Sequence, residues 1–422
     1  MTSAIPPRTV AIVGAGPGGT TLAVRLRRLG YRVVLVEKAA FPREHIGESL
    51  TGECAIVLRD MGFGDAMDAA GFPVKRAVTV HGPNKLNRFR VPVQRLGEDG
   101  VIIPGQTWQV RRPEFDSLLL NGALAEGAEL IRAEARGVLR RDGRISGLRL
   151  RDETGKDSDL AADFVADASG LQTFLSRSGV CGARHRGGYE KQVAFYGQFE
   201  GARRDLAPDD GATHIFYAAR HLWAWFIPIS STVTSIGVVT PGALFKASGQ
   251  SVQEYLTAQL ASLHPELSER LRDAQPVSET WSTSNYSYHI DDFAGDGYLC
   301  IGDAHQFTDP IFSFGVSNSV QEASLAADAI DGYLTAPSVD RMNPIHTYAD
   351  SVSRAQARVK TLIDTFWEFP LAFLKLAHYD RQADIAELLS GRLYSQSAET
   401  NEAGVIMRDL LAKRRRAEAT PG

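Results

Sequence analysis

The chain has 422 residues, of which 44% are hydrophobic and 23% charged, with a formal net charge of −4. That length can bury one large elaborated core or two, and the slight acidity excludes the basic surface that nucleic-acid or anionic-membrane partners require. Cys54, Cys181 and Cys300 are odd in number and far apart, which excludes a disulfide framework and a cysteine metal site and fits reduced thiols in the cytoplasm.

In chain order, Met1–Val10 holds no apolar run, so a signal peptide is not expected. Thr9–Val13 is a short β-branched run, the pattern of a buried parallel strand. Gly14, Gly16 and Gly19 follow as G-x-G-x-x-G: one glycine for the tight turn, one for close approach to a pyrophosphate, one for helix–strand packing. Thr20–Leu29 reads as the helix, stopped by Gly30, and its free N–H groups face the phosphates. Arg32–Val36 is the second strand, and Glu37 at its end is spaced to accept a ribose hydroxyl. This context predicts a dinucleotide site.

Beyond it, His45–Leu50 is a polar loop opening a helix over 52–62, and Ala77–His81 and Phe89–Val93 alternate as strands. Pro113–Ala125 reads as an amphipathic helix with proline at its start. Leu130–Leu139, Ile145–Arg151 and Leu160–Asp167 read as a meander returning to the nucleotide sheet. From Tyr189 to Val239 the period is two, giving strands of a second sheet, and Ser251–Leu271 is helical. Tyr298–Ile301 is a buried strand before Gly302-Asp303-Ala304, with a helix from about Val316 to Leu334. Pro344 to about Arg416 is helical and ends in a basic run, read as a solvated helix end. Phe366–Tyr379 is apolar but too short to span a bilayer.

The chain carries a single glycine fingerprint and returns to the sheet at Asp167 and Asp303. Asp303, after a strand and before a helix, suits a ribityl hydroxyl of FAD. This pattern resembles the p-hydroxybenzoate-hydroxylase-like flavoproteins. The expected fold is α/β: a Rossmann-like FAD-binding domain (1–75, 106–180 and 290–335), an inserted antiparallel β-sheet substrate domain (76–105 and 185–289) and a C-terminal helical region (336–422).

Trp223-Ala224-Trp225-Phe226-Ile227-Pro228 narrows the resemblance, because W-x-W-x-I-P marks the flavin-dependent halogenases. The stretches 41–53, 71–75, 107–116, 167–177 and 302–316 look the same way. The chain is most similar to the short subclass acting on pyrrole tethered to a carrier protein. That resemblance implies FAD as FADH2 from a separate NAD(P)H-dependent flavin reductase, O2, and chloride or bromide. It also implies an acyl or peptidyl carrier protein as partner. Through C4a-hydroperoxyflavin, halide would become hypohalous acid and move to a lysine beside an electron-rich ring, with chlorination expected. Neither a metal, a nucleic acid nor a membrane is implied.

On that resemblance the catalytic residues are Lys75, Trp223 and Trp225. Lys75 would hold the oxidant by a hydrogen bond or as a chloramine; which way it points is open. The two indoles, at i and i+2, fall on one face of a strand and would wall flavin from substrate. The plain alternatives are a surface lysine and a core aromatic pair. FAD would be held by Gly14, Gly16, Gly19, Glu37, Arg43, Ser49, Arg111, Asp303, Pro310, Gly315 and Val316. Ser313, Phe314 and Gly315 would offer backbone amides to halide; Phe307, Pro310, Ser313 and Gly315 match the family motif. His305 reads as structural. The competing readings are an aromatic hydroxylase of the same fold, acting on a small aromatic or on a Trp or Tyr of a partner protein, a non-catalytic flavoprotein, and a geranylgeranyl-reductase-like enzyme.

Overall fold

The computed structural model describes residues 7–83, 88–96, 102–189, 191–285 and 287–419. Two eight-stranded sheets organise it. The centre of the first is parallel: Glu129–Arg141, Arg32–Glu37, Thr9–Val13, Phe164–Asp167 and Tyr298–Cys300 lie side by side. Its middle strands are apolar on both faces because helices cover both, as parallel sheets demand. Pro17–Arg28 packs on Phe314–Thr335 on one of those faces. Arg144–Asp152 and Asp157–Ala161 extend one edge as antiparallel strands.

The expected strand over 160–167 is two strands. Asp157–Ala161 ends the antiparallel flap, whereas Phe164–Asp167 sits in the parallel centre beside Thr9–Val13. The break is at Ala162-Asp163, where the Asp163 amide donates to Thr9 O and its carboxylate accepts from the Thr9 amide.

Strands Ala77–His81, Arg88–Pro92, Gln192–Glu200, Thr213–Ala219, Leu222–Pro228, Val233–Pro241, Gln275–Pro276 and Trp281–Asn285 build the second sheet. It is antiparallel except where Thr213–Ala219 runs parallel to Ala77–His81. Alternation divides its side chains between two faces. Phe216, Ala224, Phe226, Ile236 and Val238 pack on helix Val252–Ser262. Ile215, Trp223, Trp225, Ile227 and Val239 face the other way, toward the C-terminal helices. The helix expected over 251–271 is broken by Pro265, which forces His264 out of the helical region (φ −151°, ψ 133°). A second helix, Pro265–Arg270, restarts with the His264 imidazole accepting from the Glu266 amide at 3.1 Å. The chain ends in helices, chiefly Asn343–Glu368 and Glu402–Ala419. Among the described residues no helix is long and apolar enough to cross a membrane.

Candidate active site

A cavity of about 650 Å³ runs from the carboxyl ends of the parallel strands to the inner face of the second sheet. Open α/β sheets bind ligands at that edge, and the volume suits a large organic cofactor. Gly14 and Gly19 are required by packing. A Cβ on Gly14 (φ +100°) would lie 2.4 Å from Ala168 O, and one on Gly19 would lie 2.1 Å from Gly14 O. Gly16 meets nothing nearer than Arg43 Nη2 at 3.6 Å, so its bare Cα is open to the cavity. The helix Pro17–Arg28 starts there with no side-chain cap and no acid in its first turn, leaving its amides for an anion.

Glu37 borders the cavity, its carboxylate fixed by the amides of Ala15 (3.0 Å) and Ala39 (2.8 Å). Arg43 and Arg112 also border it. Arg43 Nε is buried without a partner, and its Nη2 lies beside Gly16 and 3.7 Å from Asp116 Oδ2. Arg112 is gripped by Asp116 through bonds of 2.7 and 3.0 Å and donates to Ile46 O. The expectation placed Arg111 here and is corrected: Arg111 is the N-cap residue, pairs with Glu114 at 3.3 Å, and does not border the cavity. Arg112 could have been found, since it stands four residues before Asp116 on one helix face.

Asp303 borders the cavity, its carboxyl pushed up to about 7 by burial and by the nearby Glu322 charge. Glu322 accepts from the Gly302 amide (2.5 Å), His305 Nε2 (2.9 Å), Tyr394 (2.7 Å) and Gln356 (2.8 Å). His305, stacked 4.3 Å from Phe293, is therefore a brace under the Asp303 loop. A glycine cradle, helix amides, two arginines and two carboxyls together fit the diphosphate and hydroxyl groups of FAD.

Glu48 was not singled out from sequence. It is buried on the cavity wall with Oε2 unpartnered, and burial raises it to about 7. A carboxyl raised from 4.5 takes up a proton on folding. Stability from this group is therefore full below the unfolded value and falls as pH rises through about 7. In Glu48→Gln the denaturation midpoint should lose part of its decline between pH 5 and pH 8, compared by urea titration of both proteins.

The segment Asp309–Val316 forms a tight turn. Pro310–Phe312 is one 3-10 turn, Ser313 is left-handed (φ +60°, ψ 34°), and helix Phe314–Thr335 follows without a side-chain cap. Pro310, Ser313, Gly315 and Val316 border the cavity; Phe314 does not, and its ring packs into the core. The Ser313 amide, expected to face halide, is corrected: it donates to Pro310 O at 2.9 Å, which leaves that role to the uncapped first amides of the helix, from Phe314 on. The helix starts two residues earlier than expected because left-handed Ser313 redirects the chain straight into it.

Asp309 anchors this turn. It is buried, caps the turn through the Ile311 amide (3.1 Å), and accepts from Trp367 Nε1 (3.1 Å) and Gln192 Nε2 (3.3 Å); His221 Nδ1 lies 3.5 Å away. Asp309→Asn turns one acceptor into a donor facing donors. It should cost about 1–3 kcal/mol of stability, read from urea denaturation of both proteins.

Trp223 and Trp225 are both buried on the wall, with ring centroids 6.0 Å apart. Trp225 Nε1 donates to Ser235 (3.2 Å), and its ring fills space that a Cβ on Gly237 would enter at 2.3 Å. Trp223 Nε1 is buried without a partner. Phe307 also borders the cavity.

Lys75 lies one layer back. It ends strand Val74–Lys75, paired with Thr107–Trp108, and is 3% exposed. Ser49 and Thr213 border the cavity in front of it. Its Nζ is 2.8 Å from both Ser49 Oγ and Leu50 O, and burial lowers it to about 7. Among the described residues there is no group of His, Cys, Asp and Glu able to hold a metal ion.

A family model described as "FAD binding domain" matches residues 8–353. The 1H-pyrrole-2-carbonyl-[peptidyl-carrier protein] brominase of Pseudoalteromonas luteoviolacea is 36% identical over 90% of this chain and 91% of its own. The corresponding chlorinase of Pseudomonas fluorescens is 28% identical over 92% and 89%. Among solved structures, the flavin-dependent brominase Bmp2 superposes with a TM-score of 0.90 at 34% identity, over 97% of this chain and 99% of that one. The myxobacterial chondrochloren halogenase CndH follows at 0.77 and 29%, over 92% and 91%.

Proposed function

We propose, for a chain that belongs to the flavin-dependent halogenases within the FAD-binding-domain family, that its reaction is halogenation of a pyrrole ring held as a thioester on a carrier protein. One observation supports this above the rest: a single cavity joins the glycine cradle, the amide-lined turn at Ser313–Val316, the paired indoles, and the Ser49–Thr213 wall before Lys75. The relatives whose names specify a carrier-bound pyrrole match this chain over about nine-tenths of its length.

Reduced FAD, when bound, supplies with O2 the oxidising equivalent that turns halide into hypohalous acid. The residues of this chain do the rest. Gly16, the first helix amides, Arg43 and Arg112 hold the diphosphate, Glu37 a ribose hydroxyl, and Asp303 a ribityl hydroxyl. Each of these residues falls within the expected FAD-binding domain (1–75, 106–180 and 290–335). The amides of Phe314, Gly315 and Val316 hold halide at the positive end of their helix. Trp223 and Trp225 keep the ring away from the flavin end, so oxygen is not passed to it directly. Halogen then reaches the ring at the Ser49–Lys75 end, where donors polarise the oxidant.

Reduction of FAD by a separate NAD(P)H-dependent reductase is part of this proposal and follows from the halogenase resemblance. Cytoplasmic location belongs to the same proposal, in keeping with three free thiols. Chloride and bromide both suit an amide-lined turn. Bromide is the easier to oxidise and should be used first.

The test is mass spectrometry after reaction with reduced FAD, O2 and equal chloride and bromide. Pyrrole-2-carbonyl carrier protein is compared with free pyrrole-2-carboxylate. A halogen isotope pattern on the carrier-bound ring, mainly bromine, is expected, with little on the free acid. Halogenation of the free acid alone would overturn the carrier assignment.

A further inference from the structure

Lys75 does not border the cavity; the hydroxyls of Ser49 and Thr213 stand between them. Gln109 Nε2 donates to the Gly211 carbonyl (3.0 Å), which identifies that atom as the amide nitrogen. The same nitrogen donates to Thr213 Oγ1 at 2.7 Å, so Thr213 accepts there. Thr213 Oγ1 and Ser49 Oγ are 2.9 Å apart and either hydroxyl can donate; one arrangement sends the Thr213 proton to Ser49. Lys75 Nζ, when charged, gives one proton to Ser49 Oγ and another to Leu50 O. In that arrangement Ser49 Oγ accepts twice, and its own hydrogen is turned to the cavity.

We infer that the Ser49 hydroxyl, not the Lys75 ammonium itself, is the group that meets hypohalous acid, with Lys75 and Thr213 polarising it from behind. The inference rests on the halogenase reading above. A hydroxyl that accepts a charge-assisted bond and a second bond becomes a stronger donor. It is also compact, so the neighbouring wall can fix its direction better than a four-carbon stem reaching into the space.

The ring's electron pair forms the carbon–halogen bond while the halogen–oxygen bond breaks. The departing oxygen takes the Ser49 proton and leaves as water, and Lys75 restores the proton to Ser49. The ring proton then returns through Ser49 to the Lys75 amine, so ring C–H plus hypohalous acid gives ring C–halogen plus water. An amine lowered to about 7 by burial can give and recover that proton near neutral pH.

Ser49→Ala separates delivery from oxidant formation. At FAD concentrations that saturate the variant, and counted per reduced flavin oxidised, hypohalous acid escaping to monochlorodimedone in solution should rise, and halogenated pyrrole-2-carbonyl carrier should fall about 10²-fold. Ser49→Thr, which keeps a hydroxyl, should restore most of the product, and Thr213→Val should cost only a few-fold. Product from Ser49→Ala within about twofold of the parent would overturn the inference, and so would loss of the escaping oxidant together with the product.

A second readout needs no turnover. In the FAD-loaded protein, NMR of isotope-labelled lysine should show Lys75 titrating at lower pH in Ser49→Ala, because the ammonium has lost an acceptor. No movement would overturn the relay. If the parent halogenates no ring at all, the proposed function fails, and the lysine titration still judges the Ser49–Lys75 contact.

Discussion

Lys75→Ala is expected to lower halogenated product by about 10²–10³-fold, the range for loss of one preorganised donor, while reduced flavin is still consumed. The truncation removes the charge that polarises Ser49 and leaves the Leu50 carbonyl without its donor. Flavin oxidation needs neither group, so the two rates should part company, and oxidant should escape to a solution trap. Lys75→Met fills the volume without the charge and should behave alike, which separates lost chemistry from a collapsed core. The parent enzyme carries a pH signature of the same group. Its amine sits near 7, so the ammonium fraction falls as pH rises through that value. Halogenation per flavin oxidised should decline across the same window, and in Lys75→Met the decline should vanish. Product near parental levels in both variants would remove Lys75 from the mechanism.

Gly19→Ala should abolish FAD binding at concentrations that saturate the parent, a loss of at least about 10²-fold in affinity, or about 3 kcal/mol. The added Cβ would lie 2.1 Å from the Gly14 carbonyl oxygen, and Gly14 is itself held against Ala168. Neither neighbour is the free end of a flexible chain, so the helix must move off the strand and carry its N-terminal amides away from the diphosphate. Gly16→Ala is the contrast: its Cβ has room in the protein and should leave the melting temperature nearly unchanged while still crowding the cofactor. Flavin fluorescence titration and thermal melts of the two variants distinguish them. Normal FAD affinity in Gly19→Ala would contradict the packing role.

The glycine turn was legible because each glycine answers to a local constraint that spacing alone expresses. Glu37, Asp303 and the indole pair were legible for the same reason: position along a strand sets which edge or face a side chain occupies. What spacing does not express is which of two adjacent residues turns inward. Arg111 and Arg112 differ by one helix step, and only the buried Asp116 decides that Arg112 faces the cavity. Phe314 sits in the turn expected to meet an anion, but its ring is drawn into the core by Phe312 and neighbouring aromatics, so only its amide remains. Lys75 reached the site by pairing with Thr107–Trp108, and its place behind Ser49 depends on Thr213, 138 residues away in sequence, being brought there by the second sheet. The parallel pairing of Ala77–His81 with Thr213–Ala219 is equally non-local, and no turn in the sequence announces it. Glu48 was hidden for another reason: its significance is its burial, which a polar loop sequence conceals.

The most direct measurement follows the oxygen atoms. With isotopically heavy O2, reduced FAD, bromide and pyrrole-2-carbonyl carrier protein, the ring is released and weighed. The mechanism proposed above predicts a bromine isotope doublet on the ring and no heavy oxygen in it. A ring bearing heavy oxygen and no halogen would contradict it.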